Sequence, residues 1–266
     1  MTYRRFLANI QYIGTKYSGW SFQQRNNRTP PGIAAVIVEK LNKFVGKDFF
    51  KNFAGSSRTD KGVHAVRNTF HVDIDDSRFN CDLQGNAIVG ALNHHLLNED
   101  IKILSCREVD MDFDSRRNAT ARTYVYRLLC LPSNRTDKRN WLFQDEYAWT
   151  VHEVNIEEMR SAAACMTGIH DFSSFRNANC QSSTPYRYVY SIAIDSHSSF
   201  LRPNNGATDV PLLLVRSAAA VGSWQRSRGV DVHMTVWWYF NCIYFHKICV
   251  RTECVRYYTP MSLCMH

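Results

Sequence analysis

Hydrophobic and polar positions in the first half of the chain switch between strand and helix patterns. Residues Arg5–Ile13 alternate loosely and are rich in residues that favour strands, which predicts a first β-strand. Thr29, Pro30 and Pro31 then supply a start signal for a helix. Apolar residues follow at helical spacing and would form one hydrophobic face: Ile33, Val36, Ile37, Leu41, Phe44 and Val45.

The rest of this half continues with the same two patterns. The segment FFKNFAG (49–55) and the segments Asn68–Asp75 and Ile101–Val109 each predict a strand. Helical spacing returns from about Leu83 to Leu97. The first half therefore alternates strands with helices.

The second half repeats this order of elements. Ala121–Leu131 and Tyr186–Asp195 predict strands, and Asn155–Gly168 predicts a helix with acidic residues in its first turn and glycine at its end. Strands outnumber helices, and each helix falls between strands. This pattern predicts an α+β fold with a mainly antiparallel sheet and helices on one face. We favour two ferredoxin-like halves as its topology.

The predicted domains are an N-terminal half at residues 1–110, a C-terminal half at residues 111–215 and a tail at residues 216–266. The junction between the halves is placed near Asp110–Phe113. The tail contains the stretch VWWYFNCIYFHKICVRTECVRYYTP (Val236–Pro260), which is rich in aromatic residues and cysteine and follows neither the strand period nor the helix period. A buried edge strand and an atypical tail both fit this stretch.

Length, composition and charge are those of a globular protein with a basic balance. The chain has 266 residues, of which 45% are hydrophobic and 21% are charged, close to ordinary globular usage. Lysine and arginine number 32 against 24 aspartate and glutamate, which gives a net charge of +8. Basic surface suits a polyanion because binding releases counterions from phosphates. A charge of this size is also compatible with a role in solubility alone.

The chain has nine cysteines, an odd number that excludes a fully paired disulfide framework. No Cys-x-x-Cys pair occurs, so no zinc ribbon is expected. Most lie in apolar sequence, as Cys130 and Cys165 do, which predicts free buried thiols in an intracellular, reducing compartment. The N-terminus shows no apolar signal core, and no run of about 18 apolar residues predicts a membrane span. Cytoplasm, nucleus and mitochondrion all stay open.

One loop, AGSSRTDKGVHA (Ala54–Ala65), concentrates polar chemistry in a few residues. It places the carboxylate of Asp60 between two basic residues, with His64 close behind. An ordinary turn, in which Asp60 caps its own loop before Gly62, would explain the pattern. Alternatively, Arg58 would keep the carboxylate ionised and oriented, so that Asp60 could act as a base or a nucleophile. The loop offers only two metal ligands, too few for a typical metal site.

This loop resembles the signature of the TruA family of tRNA pseudouridine synthases, whose core is R-T-D-x-G-V-H. Three further segments resemble blocks of that family in the expected order. They are YIGTKYSGW (Tyr12–Trp20), DFDSRRNATARTYVYRL (Asp112–Leu128) and GIHDFSSFRNANCQSSTPYRYV (Gly168–Val189). The doubled serine of the loop and the compact length are similar to the pseudouridine synthase-like branch found in animals.

The resemblance implies an enzyme that isomerises uridine with one carboxylate and with no cofactor or metal. Asp60 would be the catalytic aspartate, acting either on the uracil ring or at the ribose, after which the base rotates and rejoins the sugar through carbon. Tyr124 would stack on the target uracil, whose extrusion from the RNA costs a few kcal/mol. Arg58 would pair with Asp60, and Arg116 and Arg122 would contact phosphates or the rim of the active site.

Each of these residues also has a structural explanation. Tyr124 could be a core tyrosine of its strand, and Arg116 could belong to a solvated basic pair. His64 could satisfy a local hydrogen bond. Phe172 and Phe175, in the third of the three further segments, could be core residues rather than a surface for bases.

Two segments depart from the family pattern. Ile13 stands where the family usually has an acidic residue. The family has a further apolar block with the core M-V-R-x-x-V-G, and only LLLVRSAAAVGSW (Leu212–Trp224) corresponds to it, with extra residues between the arginine and the glycine. In a distorted version of that block, Arg216 would be the basic residue of the active site. The tail beyond it does not resemble the family.

The sequence therefore predicts an RNA-modifying isomerase that converts uridines in tRNA to pseudouridine, with Asp60 and Tyr124 facing each other across a basic cleft. Transfer RNA is the expected partner, recognised by shape and phosphates, and the resemblance implies a homodimer. Two alternatives stay open. One is a catalytically impaired RNA-binding protein of the same fold, which the distorted block favours. The other is a metal-dependent nuclease.

Overall fold

The computed structural model describes residues 3–79, 82–131, 148–152, 154–175, 184–198, 211–220 and 233–237. These residues form two compact units. The first contains the chain up to Tyr124 and the strand at 233–237, and the second contains the described residues from Val125 to Ala220. Both units combine helix with mainly antiparallel strands, so the predicted α+β class is confirmed. The domain boundaries predicted near residues 110 and 215 stay predictions.

The first unit carries most of its strands and both of its helices in the order that the hydrophobic patterns predict. Its strands are β1 (Tyr3–Tyr12), β2 (Phe50–Gly55), β3 (His64–Asp75), β4 (Ile101–Val109) and β10 (His233–Trp237), and its helices are α1 (Ile33–Phe44) and α2 (Gly85–His95). Helix α1 begins after Gly32, which provides no side-chain cap, rather than at Thr29. The start signal in the sequence therefore lies a few residues before the helix itself.

The sheet of the first unit is centred on β1 and β3, which pair antiparallel from Tyr3 opposite Asp75 to Tyr12 opposite Ala65. Strand β4 pairs antiparallel with the other edge of β1. Two strands share the second edge of β3, because β2 pairs with its residues 70–74 and β10 with its residues 64–67. The sequence did not predict β10, which extends this sheet by pairing with the residues of β3 that follow the Asp60 loop.

One hydrophobic core lies between this sheet and its two helices. Side chains alternate along a strand, so the even-numbered residues of β1, and those of β3 from Asn68 onward, share the face that the helices cover. The core includes Phe6, Ala8, Ile10 and Tyr12 from β1, Phe70, Val72 and Ile74 from β3, Ile33, Val36, Ile37 and Leu41 from α1, and Ile88 and Leu92 from α2. The opposite face carries a smaller cluster of Leu7, Phe113 and Ala119.

Strand β3 is buried on both faces, whereas an alternating sequence is typical of a strand with one solvated face. Every residue from Asn68 to Asp75 is buried, including the polar ones. The second face is covered by the segment after β4. There the N–H of Ser115 donates to Nδ1 of His71 (3.0 Å), and Nη1 of Arg5 donates to the carbonyl of Phe113 (2.7 Å).

The second unit is built on a strand order of β5-β9-β8-β7. Its elements are β5 (Ala121–Leu131), which starts in the first unit, β6 (Trp149–His152), α3 (Ile156–Cys165), β7 (Gly168–Asp171), β8 (Tyr186–Ser198) and β9 (Pro211–Ala220). Strand β8 pairs antiparallel with β7 and β9, and β6 pairs in parallel with β5. Gly168 was predicted to end the helix, but it opens β7 with a φ of +105°.

Free thiols occur at Cys106, Cys130 and Cys165. Burial raises the pKa of the Cys130 thiol to about 11 and that of Cys106 to about 12. Cys165 is exposed, which corrects the prediction that its apolar sequence buries it. It ends α3, whose buried residues are Met159, Ala162 and Ala163. No helix among the described residues is long and apolar enough to cross a membrane.

The predicted tail at residues 216–266 is described only in part. Residues 216–220 belong to β9 and residues 233–237 form β10. The end of the Leu212–Trp224 block, after Ala220, and the aromatic, cysteine-rich sequence after Trp237 lie outside the described residues.

Candidate active site

The loop between β2 and β3 displays Asp60 to solvent. Asp60, Arg58 and Lys61 are exposed, while most of the other residues of the loop are buried. The buried neighbours are Ser56, Ser57, Thr59, Val63 and His64. Within the part of the chain that the structure describes, no hydrogen bond or ion pair joins Arg58 to Asp60, and their pairing stays a prediction.

A tight turn fixes the backbone immediately after the carboxylate. The N–H of Val63 donates to the carbonyl of Asp60 (3.2 Å). Gly62 lies inside this turn with a φ of +81°. That left-handed conformation costs a residue with a side chain about 1–2 kcal/mol. The glycine of the signature therefore serves the turn that presents Asp60.

A buried polar network holds the loop on the side before Asp60. The hydroxyl of Tyr12 lies 3.0 Å from Oγ1 of Thr59 and accepts from Nδ2 of Asn68 (3.2 Å). Nδ2 of Asn68 also donates to the carbonyl of Ser57 (3.2 Å), and its Oδ1 accepts from the hydroxyl of Ser56 (2.8 Å). Burial raises the pKa of Tyr12 to about 12, so this hydroxyl keeps its proton at neutral pH.

The turn that follows β1 packs against the same loop. The N–H of Trp20 donates to the carbonyl of Thr59 (2.8 Å). The N–H of Gly14 donates to Nδ1 of His64 (3.0 Å), so this histidine makes a structural hydrogen bond, but to a partner far away in sequence rather than to a local one. A Cβ atom at Gly14 would lie 2.0 Å from the carbonyl oxygen of Val63. This close approach explains why the opening turn and the signature loop form one packed unit.

The segment that carries Arg116 is anchored to the sheet of the first unit. Ser115 is fully buried, and its hydroxyl donates to a backbone carbonyl of β2 (2.8 Å) while its N–H donates to His71. The carboxylate of Asp114 accepts from the backbone N–H of Arg116 (2.8 Å). The side chain of Arg116 is exposed. Its backbone is therefore fixed to the same sheet from which the Asp60 loop projects.

The pKa values of two groups in this segment, His71 and Asp114, are shifted. Burial lowers the pKa of His71, and the charge of Arg5 lowers it further. Because Nδ1 of His71 accepts from a backbone N–H, the neutral ring carries its proton on Nε2. Burial opposes ionisation of Asp114, but hydrogen bonds from the N–H groups of Arg117 and Arg116 outweigh it and lower the pKa of that carboxyl.

Tyr124 and Arg122 lie two residues apart on β5, so they project to the same side of that strand. Both side chains are half-buried. Nε of Arg122 and Oγ1 of Thr120 are buried and have no hydrogen-bond partner within the described residues. A buried donor without a partner is uncommon in proteins.

Arg216 lies on β9 of the second unit. Its Nη2 contacts Oδ2 of Asp195 on β8 at 2.6 Å, and both side chains are partly exposed. The structure thus places Asp60 and Arg58 in one loop and Arg122 and Tyr124 on one strand. Arg216 is held in an ion pair inside its own unit.

Several known proteins are similar to this chain in sequence. No family model matches the chain. It is 33% identical over 187 residues to tRNA pseudouridine synthase A of Agrobacterium fabrum, covering 69% of this chain and 64% of that protein. It is 32% identical over 224 residues to the protein of the same name from Xanthobacter autotrophicus, covering 84% of this chain and 83% of that protein. The chain belongs to the TruA family of tRNA pseudouridine synthases.

Membership of the TruA family confirms the prediction made from the four sequence blocks. An animal protein is among the relatives: the chain is 34% identical over 178 residues to tRNA pseudouridine synthase-like 1 of Xenopus laevis. That match covers 66% of this chain and 58% of the frog protein. The chain thus spans less than two thirds of some TruA-family relatives and most of others.

Proposed function

We propose that this chain converts specific uridines of tRNA to pseudouridine, that the carboxylate of Asp60 starts the reaction, and that no cofactor takes part. The geometry of the signature loop carries this proposal. Asp60 is exposed on a backbone that the Gly62 turn fixes on one side and the buried contacts of Thr59 fix on the other. An ordinary solvated turn does not require such buried hydrogen bonds on either side of it.

The reaction moves the bond between base and ribose from a nitrogen to a carbon of the same uracil. The carboxylate of Asp60 adds to the ring or acts at the ribose, the base rotates, and C5 replaces N1 as the partner of the sugar. C5 loses its proton and N1 gains one, so atoms and electrons balance without an oxidant, a reductant or a second substrate. The target base must leave the RNA stack, and stacking on Tyr124 would offset part of that cost.

We assign substrate binding to Tyr124, Arg58, Arg116, Arg122 and Arg216. The exposed side chains of Arg58 and Arg116 are available to phosphates. The place of Arg122 two residues from Tyr124, on the same side of β5, supports a role beside the target base. The role of Arg216 depends on the resemblance of its block to the family, and binding RNA would compete with its ion pair to Asp195.

We further propose two ferredoxin-like halves around a basic cleft, and a homodimer. The order β1-α1-β2-β3-α2-β4 of the first unit, with β4-β1-β3-β2 as neighbours in the sheet, supports the first ferredoxin-like half. The net charge of +8 supports a basic cleft. The free thiols of the described cysteines support an intracellular, reducing compartment.

The deciding experiment compares the wild-type chain with Asp60→Asn on unmodified tRNA transcripts. Pseudouridine is mapped by carbodiimide treatment and primer extension. We expect new stops with the wild type and none with Asp60→Asn, while both bind tRNA equally well. Asp48→Asn makes the same chemical change at another exposed aspartate and should keep full activity. Equal product from the wild type and Asp60→Asn would contradict catalysis by Asp60.

The same experiment separates the two alternatives. A wild-type chain that binds tRNA without making pseudouridine, beside a control synthase that works, would favour the impaired RNA-binding protein. Cleavage of the RNA that a chelator abolishes would favour the metal-dependent nuclease. Product formation that is indifferent to chelators supports the cofactor-free isomerase.

A further inference from the structure

We propose that Asn68 is a positioning residue for Asp60 and that it acts through Thr59 and Tyr12. This inference rests on the proposed function, because it concerns the reaction assigned to Asp60. Asn68 lies on β3, beneath the signature loop and outside the R-T-D-x-G-V-H signature itself.

The amide of Asn68 is completely buried and uses its whole hydrogen-bonding capacity. Its exposed fraction is 0%. Nδ2 donates to the hydroxyl of Tyr12 and to the carbonyl of Ser57, both at 3.2 Å. Oδ1 accepts from the hydroxyl of Ser56 and from the N–H of Thr69, both at 2.8 Å. Two donors and two lone pairs are all that an asparagine side chain offers.

Two backbone groups decide which end of this amide is oxygen. The N–H of Thr69 can only donate, so it requires the oxygen of Asn68. The carbonyl of Ser57 can only accept, so it requires the nitrogen. The side chain therefore has only one orientation in which all its hydrogen bonds form, and those hydrogen bonds hold the loop in place.

Asn68 reaches the loop at three points before Asp60. It binds the hydroxyl of Ser56 and the carbonyl of Ser57 directly, and through the hydroxyl of Tyr12 it reaches Thr59. Thr59 is the residue next to Asp60. No hydrogen bond from a described residue holds the Asp60 side chain itself, so its position depends on the backbone that this network holds.

The consequence for catalysis is a loss of rate rather than of affinity. A displacement of about 1 Å at a reacting group can cost on the order of 100-fold in rate. Arg58 lies in the loop between Ser57 and Thr59, but its exposed side chain takes no part in the network, and the other arginines assigned to substrate binding lie outside the loop. The affinity for tRNA is therefore largely maintained. An interaction that acts mainly on the transition state changes kcat and leaves KM nearly unchanged.

Three variants probe the network with little change of shape. Asn68→Asp keeps an oxygen for Thr69 but turns the other end of the side chain into an acceptor that faces the carbonyl of Ser57. Thr59→Val removes only the hydroxyl that contacts Tyr12. Thr59→Ser restores a hydroxyl and serves as the rescue.

The matched control is Thr69→Val, at the next position of β3. Thr69 is 1% exposed, and its hydroxyl has no hydrogen-bond partner within the described residues. Replacing that hydroxyl by a methyl group keeps the shape of the side chain and the backbone N–H that Asn68 uses. Any loss that Asn68→Asp shows and Thr69→Val does not is specific to the network.

Rates are measured by tritium release from tRNA labelled at C5 of uridine, because that hydrogen is lost when C5 joins the ribose. We expect Asn68→Asp and Thr59→Val to lower kcat at least about tenfold with KM within about twofold. Thr59→Ser should recover most of the rate, and Thr69→Val should match the wild type. Thermal unfolding of each variant verifies that the assay temperature lies well below its Tm.

Two results would overturn the inference while leaving the proposed function intact. One is an active wild type with unchanged kcat in Asn68→Asp and Thr59→Val. The other is a Thr59→Ser variant as slow as Thr59→Val. If Asn68→Asp does not fold, the Thr59 pair decides alone. An inactive wild type beside a working control synthase would instead overturn the proposed function, and the positioning role with it.

Discussion

Buried polar side chains on β3 are the feature that most distinguishes this protein at the scale of single residues. Asp73 is fully buried, yet it accepts from Nε and Nη2 of Arg5 (2.6 and 2.9 Å) and from Asn52 (2.6 Å). Burial raises the pKa of this carboxyl, but the hydrogen bonds from Arg5 and Asn52 outweigh it, and the net pKa is lowered. Leaving a buried charge without its partner costs about 3–5 kcal/mol, so the partners of Asp73 stabilise the fold.

His71 gives this buried layer a dependence on pH. Its pKa is lowered in the folded chain, chiefly by burial. Below the ordinary histidine pKa of about 6.5, the unfolded chain therefore binds a proton that the folded chain does not. The free energy of unfolding should fall as the pH decreases from about 6.5 to the folded-state pKa of His71. Urea titrations between about pH 5 and pH 8 measure this slope.

The control for this prediction is His71→Asn, whose side-chain oxygen can accept from Ser115 and does not titrate. It should flatten the part of the slope that starts near pH 6.5. The lowered pKa values of Asp73 and Asp114 act in a separate window, below the ordinary aspartate pKa of about 3.9. A slope that is the same in His71→Asn and in the wild type would contradict the assignment.

The sequence identifies the exposed side chains of the candidate site more readily than the buried residues that hold the loop in place. Asp60 and Arg58 stand in a contiguous signature, which a linear pattern reveals. Asn68 and Tyr12 are far apart in sequence, and only the pairing of β1 with β3 brings them together. An asparagine at the start of an alternating segment has the pattern of a solvated position. Nothing in the periodicity shows that a second layer covers it.

At the scale of elements, length and periodicity decide what the sequence reveals. The long segments are confirmed, and the predicted bounds of β4 and β5 match those of the structure. Strands β6, β7 and β9 were not predicted. Four residues are too few to show a period in β6 and β7, and the apolar run of β9 does not alternate with polar residues. The bounds of α1 and α3 differ from the prediction by a few residues, since capping is decided by local hydrogen bonds.

The N-cap of α3 is an element whose contribution can be measured. Oδ1 of Asn155 accepts from the backbone N–H groups of Glu157 (3.1 Å) and Glu158 (3.2 Å). Asn155→Ala leaves these groups without that acceptor and should lower the free energy of unfolding by about 1 kcal/mol. Asn155→Ser keeps a capping oxygen and should lose little. Denaturant titration of the full chain compares them, and equal values for Asn155→Ala and the wild type would contradict the cap.

At the scale of the whole molecule, the excess of basic residues favours the binding of a polyanion but does not indicate where on the protein it would bind. The net charge of +8 includes cations that are already paired inside the protein. Arg4, for example, contacts Asp76 (3.0 Å), Asp82 and Glu108. These contacts raise the pKa of Arg4, and the residue is engaged in holding the structure together. Only cations that remain available to phosphates would contribute to binding of tRNA.

The salt dependence of tRNA binding tests which cations these are. Each neutralised phosphate adds roughly 0.7–0.9 to the slope of log Kobs against log salt concentration, because counterions are released. Arg116→Gln and Arg122→Gln should each lower the slope by about that amount. Lys43→Gln removes the same charge from α1, where Lys43 pairs with Glu39 at 2.8 Å, and it should leave the slope unchanged. Fluorescence anisotropy with labelled tRNA between about 50 and 200 mM salt measures the slopes. An equal reduction in all three variants would mean that total charge, rather than these two arginines, determines how the protein binds tRNA.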